Sequence, residues 1–291
     1  MTRPHGPLLV TGVPRSGTTW LARLLASAPR TALAGREPMN PRGRQYALGG
    51  TLTGWTRLTE PTRRQRWALR TAYHGWNPRT FGRYGRGQWR APLPGVRVVV
   101  KDPFAMLSVP AISRVTGARA VQVFRHPGAV LASYRRMGWR PDLAEIAGLL
   151  DCGVDHGPLV YSLWEAGAEA MSEAERMGVF WAVLNGVALA DLPLAPGTVV
   201  VAHHELAGGG ASAARVLFGE LGLRFGEGSA AEMTGGRPSA ASDEGLHRLN
   251  RDPAQVAESW RRHLDPAEVS RIEEVAGPVL EAMNRVRLPL P

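Results

Sequence analysis

The chain has 291 residues, 44% hydrophobic and 21% charged, with a formal net charge of +10 and one cysteine, Cys152. That length and balance suit a single α/β domain spanning 1–291 with a large core, and they exclude a disordered or fibrous protein, while one thiol excludes an internal disulfide or a cysteine-built metal cluster. No apolar run approaches the roughly 18 residues of a membrane span, and the short apolar stretch before the first glycine loop is no secretory signal, so a cytoplasmic protein without a membrane partner is expected.

"PLLVTG" is a short apolar run ending in glycine and reads as a buried parallel strand. "GTTWLARLLASAP" follows as a helix with Trp20, Leu21, Leu24 and Leu25 on one face and Pro29 as its stop. A second strand is expected before Glu37. "PTRRQRWALRTAY" is expected to be a helix that buries Trp67 and Tyr73 and holds Arg63, Arg66 and Arg70 on another face. "VRVVVKDP" is the next buried strand, and "PFAMLSVPAISRVTG" a helix or broken helix ending at Gly117. "ARAVQVFRHP" is another strand, and "PGAVLASYRRMGW" a helix with Pro127 in its first turn, where a missing N–H costs nothing. Helical patterns dominate from about 142 to 191, "GTVVVAHHEL" returns a strand, and the tail reads as two helices separated by Asp265 and Pro266. The Gly- and Ser-rich stretches Gly208–Ser212 and Gly226–Ser242 read as loops. Strands alternating with helices imply right-handed crossovers and a parallel sheet covered on both faces.

The turn between the first strand and helix, "VTGVPRSGTTW", follows the phosphate-cradling spacing G-x-x-x-x-G-K-[ST] with Gly12, Gly17 and Thr19, but Thr18 replaces the lysine. Backbone N–H groups at a helix start favour an anion. Ser16, Thr18 and Thr19 add hydroxyls and Arg15 a permanently charged fork, a set suited to one terminal phosphate more than to a triphosphate with magnesium.

"PRSGTTW" resembles the 5′-phosphosulfate loop of sulfotransferases that use 3′-phosphoadenosine 5′-phosphosulfate (PAPS), with Arg15, Ser16, Gly17, Thr18, Thr19 and Trp20 at the matching positions. "VFRHPGAVLASYRR" is similar to the 3′-phosphate motif of that family, Arg125 at a strand end and Ser133 eight residues on. The Cβ direction in a helix aims Ser133 back toward the helix start, so both side chains can reach one phosphate. The resemblance implies a P-loop NTPase-like three-layer α/β sandwich, PAPS as sulfuryl donor with 3′-phosphoadenosine 5′-phosphate as product, a hydroxyl-bearing acceptor and no required metal. Ser242, in the tail, resembles part of the loop that closes over the nucleotide in that family.

Lys101 is the only lysine in a chain whose Ala, Gly and Arg content suggests a GC-rich bacterial genome, and it stands at a strand terminus on the ligand-bearing edge of an open sheet. "KDPFAMLSVPAISRVTGARAVQVFRHP" resembles the tyrosylprotein and carbohydrate branches, where the lysine contacts the donor near the transferring group. The cytosolic small-molecule enzymes place a basic histidine two residues after such a lysine. Pro103 occupies that position here, so a carboxylate is expected instead. Glu37, in "LAGREPMN", resembles the glutamate of those branches and is the candidate base, with Lys101 and Arg15 stabilising charge. His203 and His204 are the next candidates and are expected to pack beside the nucleotide.

Between Arg36 and Arg97 thirteen arginines face two acids, Glu37 and Glu60, and four tryptophans interleave with them. This basic segment, Arg36 to Arg97 with its Arg/Trp-rich part at about 42–97, is expected to flank the acceptor cleft and attract an anionic acceptor or an acidic carrier protein, its field weakening with salt. Two other readings are an ATP-dependent P-loop kinase, which lacks its lysine and offers only Asp102 as a metal carboxylate, and a nucleic-acid-binding module built on the Arg and Trp segment.

Overall fold

Five apolar runs become strands: β1 (Leu8–Thr11), β2 (Thr31–Ala34), β3 (Arg97–Lys101), β4 (Arg119–Phe124) and β5 (Val199–Ala202). In this computed structural model, which describes residues 6–34, 36–40, 48, 50–51, 55–77, 89–234 and 259–291, they pair in the order β2-β3-β1-β4-β5. Every pairing is parallel, and β1 sets Val10 beside Lys101 on one side and beside Val121 on the other.

The described helices are α1 (Thr18–Ala26), α2 (Arg63–Tyr73), α3 (Val109–Thr116), α4 (Pro127–Arg136), α5 (Pro158–Ala166) and α6 (Glu173–Ala190), which lie on the crossovers, and α7 (His203–Gly208), α8 (Gly210–Glu220), α9 (Glu227–Met233) and α10 (Pro266–Val286), which follow the last strand. Alternate residues of each strand point to opposite faces, so two cores form. Leu8, Val10, Val121 and Val201 pack with α1, α8 and Met233 of α9. Leu9, Val100, Ala120 and Phe124 pack with α2, α3, α4, α6 and α10. Helices on both faces of one parallel sheet make the expected three-layer α/β architecture.

Local signals set several helix starts. Thr62 and Gln65 form a reciprocal capping box on α2, and Ser172 and Glu175 do so on α6. Proline stands at the first position of α4, α5 and α10. The stretch Glu173–Leu194 is long and apolar enough to cross a membrane by composition, yet 72% of its apolar window is buried inside the protein. Its apolarity on every side reflects enclosure by the sheet, α5 and α10.

The chain leaves β1 toward β2 on one side and leaves β4 toward β5 on the other. The loops after β1 and β4 therefore diverge and open a crevice outside the carboxyl ends of these strands, where an open α/β sheet binds its ligand.

Three expectations are corrected. Trp67 is 69% exposed, whereas Ala68, Leu69, Ala72 and Tyr73 form the inner stripe of α2. Gly208–Ser212 is not a loop: α7 ends at Gly208 and α8 begins at Gly210. Gly226 opens α9, so the first half of Gly226–Ser242 is helical too, and 235–242 lies outside the described residues. Apart from these, the described residues of the basic segment reach both ends of the strands. Trp55 is buried against Phe104, with ring centroids 4.5 Å apart, while Trp76 and Leu93 line a concavity with Pro7, Arg30 and Arg97 at the opposite, amino-terminal edge of the strands.

Candidate active site

The loop between β1 and α1 passes so close to β4 that a Cβ on Gly12 would lie 2.1 Å from the carbonyl oxygen of Val123, and Gly12 has φ +142°. A side chain is excluded there. At Gly17, φ +96°, a Cβ would lie 2.2 Å from the Cδ2 of His203. Both glycines of the motif are thus demanded by close approach as well as by dihedral angle. Arg15 itself sits at φ 74°, in the left-handed region that non-glycine residues rarely enter. Three polar atoms around the loop are buried without a protein partner: Ser16 Oγ, Trp20 Nε1 and His203 Nδ1. Leaving such groups unsatisfied costs on the order of 1–3 kcal/mol each, so their grouping at a helix start fits a polar ligand.

On the β4 side, Arg125 is 5% exposed, and its carbonyl accepts a 3.0 Å hydrogen bond from the buried indole of Trp181 on α6. Burial, then the charges of Arg136 and Arg15, pull the Arg125 guanidinium down to about 10. Burial, then Arg136, also lowers Arg15. Arg15 Nε donates to Ser133 Oγ at 2.9 Å across 118 positions of sequence. The phosphate loop and the Arg125–Ser133 pair therefore meet in one cation-rich crevice. Mutual repulsion of that kind is relieved by a bound anion.

Across β1, Lys101 Nζ donates to Glu37 Oε1, and the other Glu37 oxygen accepts from the Asn40 amide. Both ion-pair partners are largely buried. The next residue, Asp102, is fully buried; its Oδ2 accepts from Met39 N at 2.5 Å and its Oδ1 from Phe104 N at 3.1 Å. Its main chain is tied to β1 as well, Asp102 N to Val10 O at 3.0 Å and Thr11 Oγ1 to Asp102 O at 2.8 Å. Burial, reinforced by Glu37, pushes the Asp102 carboxyl up to about 8.

His203 is buried against Gly17 with its ring 5.4 Å from that of Trp20. Burial, then Arg125 and His204, hold it down to about 3. It is a neutral imidazole at ordinary pH, while His204 is exposed. His126 stacks on Trp260 at 4.5 Å and contacts Glu273 through Nε2 at 3.2 Å, with burial the main cause of its fall to about 4. Gly128 permits that stacking, because a Cβ there would meet the Trp260 ring at 2.4 Å.

The profile of the sulfotransferase family matches residues 7–177, more than half of the chain and all of the residues just described up to α6. The chain belongs to the sulfotransferase family. Its fold is shared with the sulfotransferase domain of the Synechococcus PCC 7002 olefin synthase, at 16% identity over 100% of this chain and 98% of that one, with a TM-score of 0.55. The sulfotransferase domain from the curacin biosynthetic pathway aligns at 17% identity over 94% and 98% of the two chains, TM-score 0.49. A sulfotransferase from Alicyclobacillus acidocaldarius aligns at 13% over 99% and 98%, TM-score 0.48. No curated protein matches the chain.

In this sulfotransferase the expected residues fall into two groups. Arg15, Ser16, Gly17, Thr18, Thr19, Trp20, Arg125 and Ser133 surround the crevice, and Glu37 with Lys101 lies one strand away. Arg15 reaches toward Ser133. Ser242 lies outside the described residues. Sequence reasoning missed Arg136, which follows Ser133 by one helical turn and so shares its face. It also missed the structural part of Asp102 and the indole of Trp181, for which no local signal exists.

Proposed function

We propose that this sulfotransferase takes PAPS as its donor and transfers the sulfuryl group to an acceptor hydroxyl at the Glu37–Lys101 end of the crevice. The observation that carries this reading is the junction of two anion sites, the β1–α1 loop and the Arg125–Ser133–Arg136 cluster, bridged by the Arg15–Ser133 hydrogen bond. One phosphate would use one of them; a donor with phosphates on both sides of a ribose uses both. The nucleotide supplies a sulfuryl group on a phosphate leaving group, and the residues of the chain do the rest. Loop N–H groups with Ser16, Thr18 and Thr19 would hold the 5′-phosphate, and Arg125, Ser133, Arg15 and Arg136 the 3′-phosphate.

Lys101, a compact ammonium beside Val10 at the strand end, would balance charge building on the transferring and departing oxygens. Glu37, held by Lys101 and Asn40, would accept the proton of the acceptor hydroxyl. Positioning and electrostatics supply most of the rate, as in phosphoryl transfer.

Calorimetric titration tests the donor. Adenosine 3′,5′-bisphosphate should bind about 10- to 100-fold more tightly than adenosine 5′-monophosphate, the contribution of one or two charged hydrogen bonds. Equal affinities, or stabilisation by ATP with magnesium alone, would remove PAPS as donor.

A further inference from the structure

Glu37 lies outside any helix or strand, three residues beyond the end of β2, in a short turn that carries Pro38 and Met39. A base on such a turn needs something rigid to fix it, since a displacement of about 1 Å can cost on the order of 10² in rate. Asn40 binds Glu37 from within the same turn, and Lys101 reaches it with a flexible side chain. The rigid tie is Asp102. Its carboxyl bridges two backbone donors of different origin, Met39 N of the Glu37 turn and Phe104 N of the 3-10 turn Pro103–Ser108 that follows β3. Its own main chain is bound to Val10 and Thr11 of β1, so the tie is anchored in the centre of the sheet.

We infer that Asp102 is a positioning residue for the proton acceptor: through Met39 it clamps the turn bearing Glu37 to the end of β3 and so holds Glu37 on Lys101. This rests on the reading of Glu37 as the base. A buried carboxyl beside a second carboxylate is costly, and a side chain needed only to cap Phe104 N could be a serine. The capping task therefore does not explain a carboxyl that reaches Met39 as well. Charged or titratable groups facing Asp102 are Glu37, Lys101 and Tyr73, the last buried behind it on α2 with its hydroxyl lacking a protein partner.

Lys101 being the only lysine offers a readout that needs no acceptor. Acylation by acetic anhydride, followed by peptide mass analysis, reports the exposure of this one side-chain amine apart from the chain terminus. Asp102→Ser keeps a hydroxyl to cap Phe104 N but is too short to reach Met39 N, so the turn should swing away and Glu37 should uncover Lys101. The expected result is an acylation rate raised about tenfold or more, close to that of Glu37→Gln, with the affinity for adenosine 3′,5′-bisphosphate unchanged. Combining Asp102→Ser with Glu37→Gln should add nothing further. Acylation of Asp102→Ser at the wild-type rate, or full additivity in the double variant, would overturn the proposal.

Asp102→Asn covers the case in which the serine variant does not fold. Its amide can accept from only one of the two N–H groups, and an intermediate acylation rate is expected, whereas a wild-type rate again overturns the clamp. Release of sulfate from PAPS to water, measured on Glu37→Gln alone, keeps the two ideas apart. Unchanged release there removes Glu37 as base and leaves the acylation result to judge the clamp.

Discussion

Around Arg125 the charges that act most strongly are positive, from Arg136 and Arg15, whereas Lys101 has Glu37 on its ammonium and Asp102 as its neighbour in sequence. The two regions lie on either side of β1, at the same edge of the same sheet. In the first, burial and then crowding of like charge lower the affinity of each guanidinium for its own proton, and the crowding is relieved when an anion arrives. In the second, cation and carboxylate are already matched, and what remains is a set of groups able to hold and exchange a proton. On the proposed reading, binding and proton transfer are separated by one strand, so each should fail without the other.

Replacement of the matched pair should have the largest effect. Glu37→Gln and Lys101→Ala are each expected to lower turnover by about 10² or more, while Glu37→Gln leaves bisphosphate affinity unchanged in a calorimetric titration. Lys101→Arg should also turn over poorly, because a planar fork does not replace a compact ammonium. Loss of bisphosphate binding in Glu37→Gln would break the separation. On the other side of β1, Arg125→Ala should weaken adenosine 3′,5′-bisphosphate by about 10- to 100-fold and hardly alter the 5′-monophosphate, with Ser133→Ala acting in the same direction and less. Equal losses for both nucleotides would mean that Arg125 reads no 3′-phosphate.

The two regions should also mark opposite limbs of the pH–stability curve. Asp102 keeps its proton in the folded state to about 8 against an ordinary value of 3.8, so the stability it contributes is complete below 3.8 and is lost as pH rises toward 8. His203 is depressed to about 3 from 6.5, so its contribution is present above 6.5 and is lost as pH falls toward 3. Urea midpoints between about pH 3 and about pH 9 should therefore show a shallower alkaline fall in Asp102→Asn and a shallower acid fall in His203→Gln. Curves parallel to wild type would contradict the burial assigned to these groups.

The smallest effect on the fold is expected from the exposed start of α2. Reversing Arg63, Arg64 and Arg66 to Glu should change stability by no more than about 0.5 kcal/mol and leave the bisphosphate affinity alone. It should still raise the KM of an anionic acceptor and flatten its dependence on salt. A KM indifferent to both would make these arginines a solvated face.

What the sequence by itself determined are the parts governed by local rules. Runs such as "RVVVK" and "ARAVQVF" are too apolar for anything but buried strands, and Gly12 and Gly17 mark a loop whose dihedral angles other residues resist. The order of loop, lysine strand and Arg125–Ser133 motif placed most of the candidate site, because a parallel sheet gathers its strand ends at one edge. Only the tertiary structure decided which side of α2 turns inward. Tyr73 borders two possible apolar stripes, and packing against β3 and α3 chose the one with Ala68, Leu69 and Ala72, leaving Trp67 in water. Tertiary structure alone also joined Arg15 to Ser133, Trp181 to Arg125 and Asp102 to Met39. Those contacts span 118, 56 and 63 positions, and hydrogen bonds of that range depend on sheet register and helix docking, which no pattern of neighbouring residues encodes.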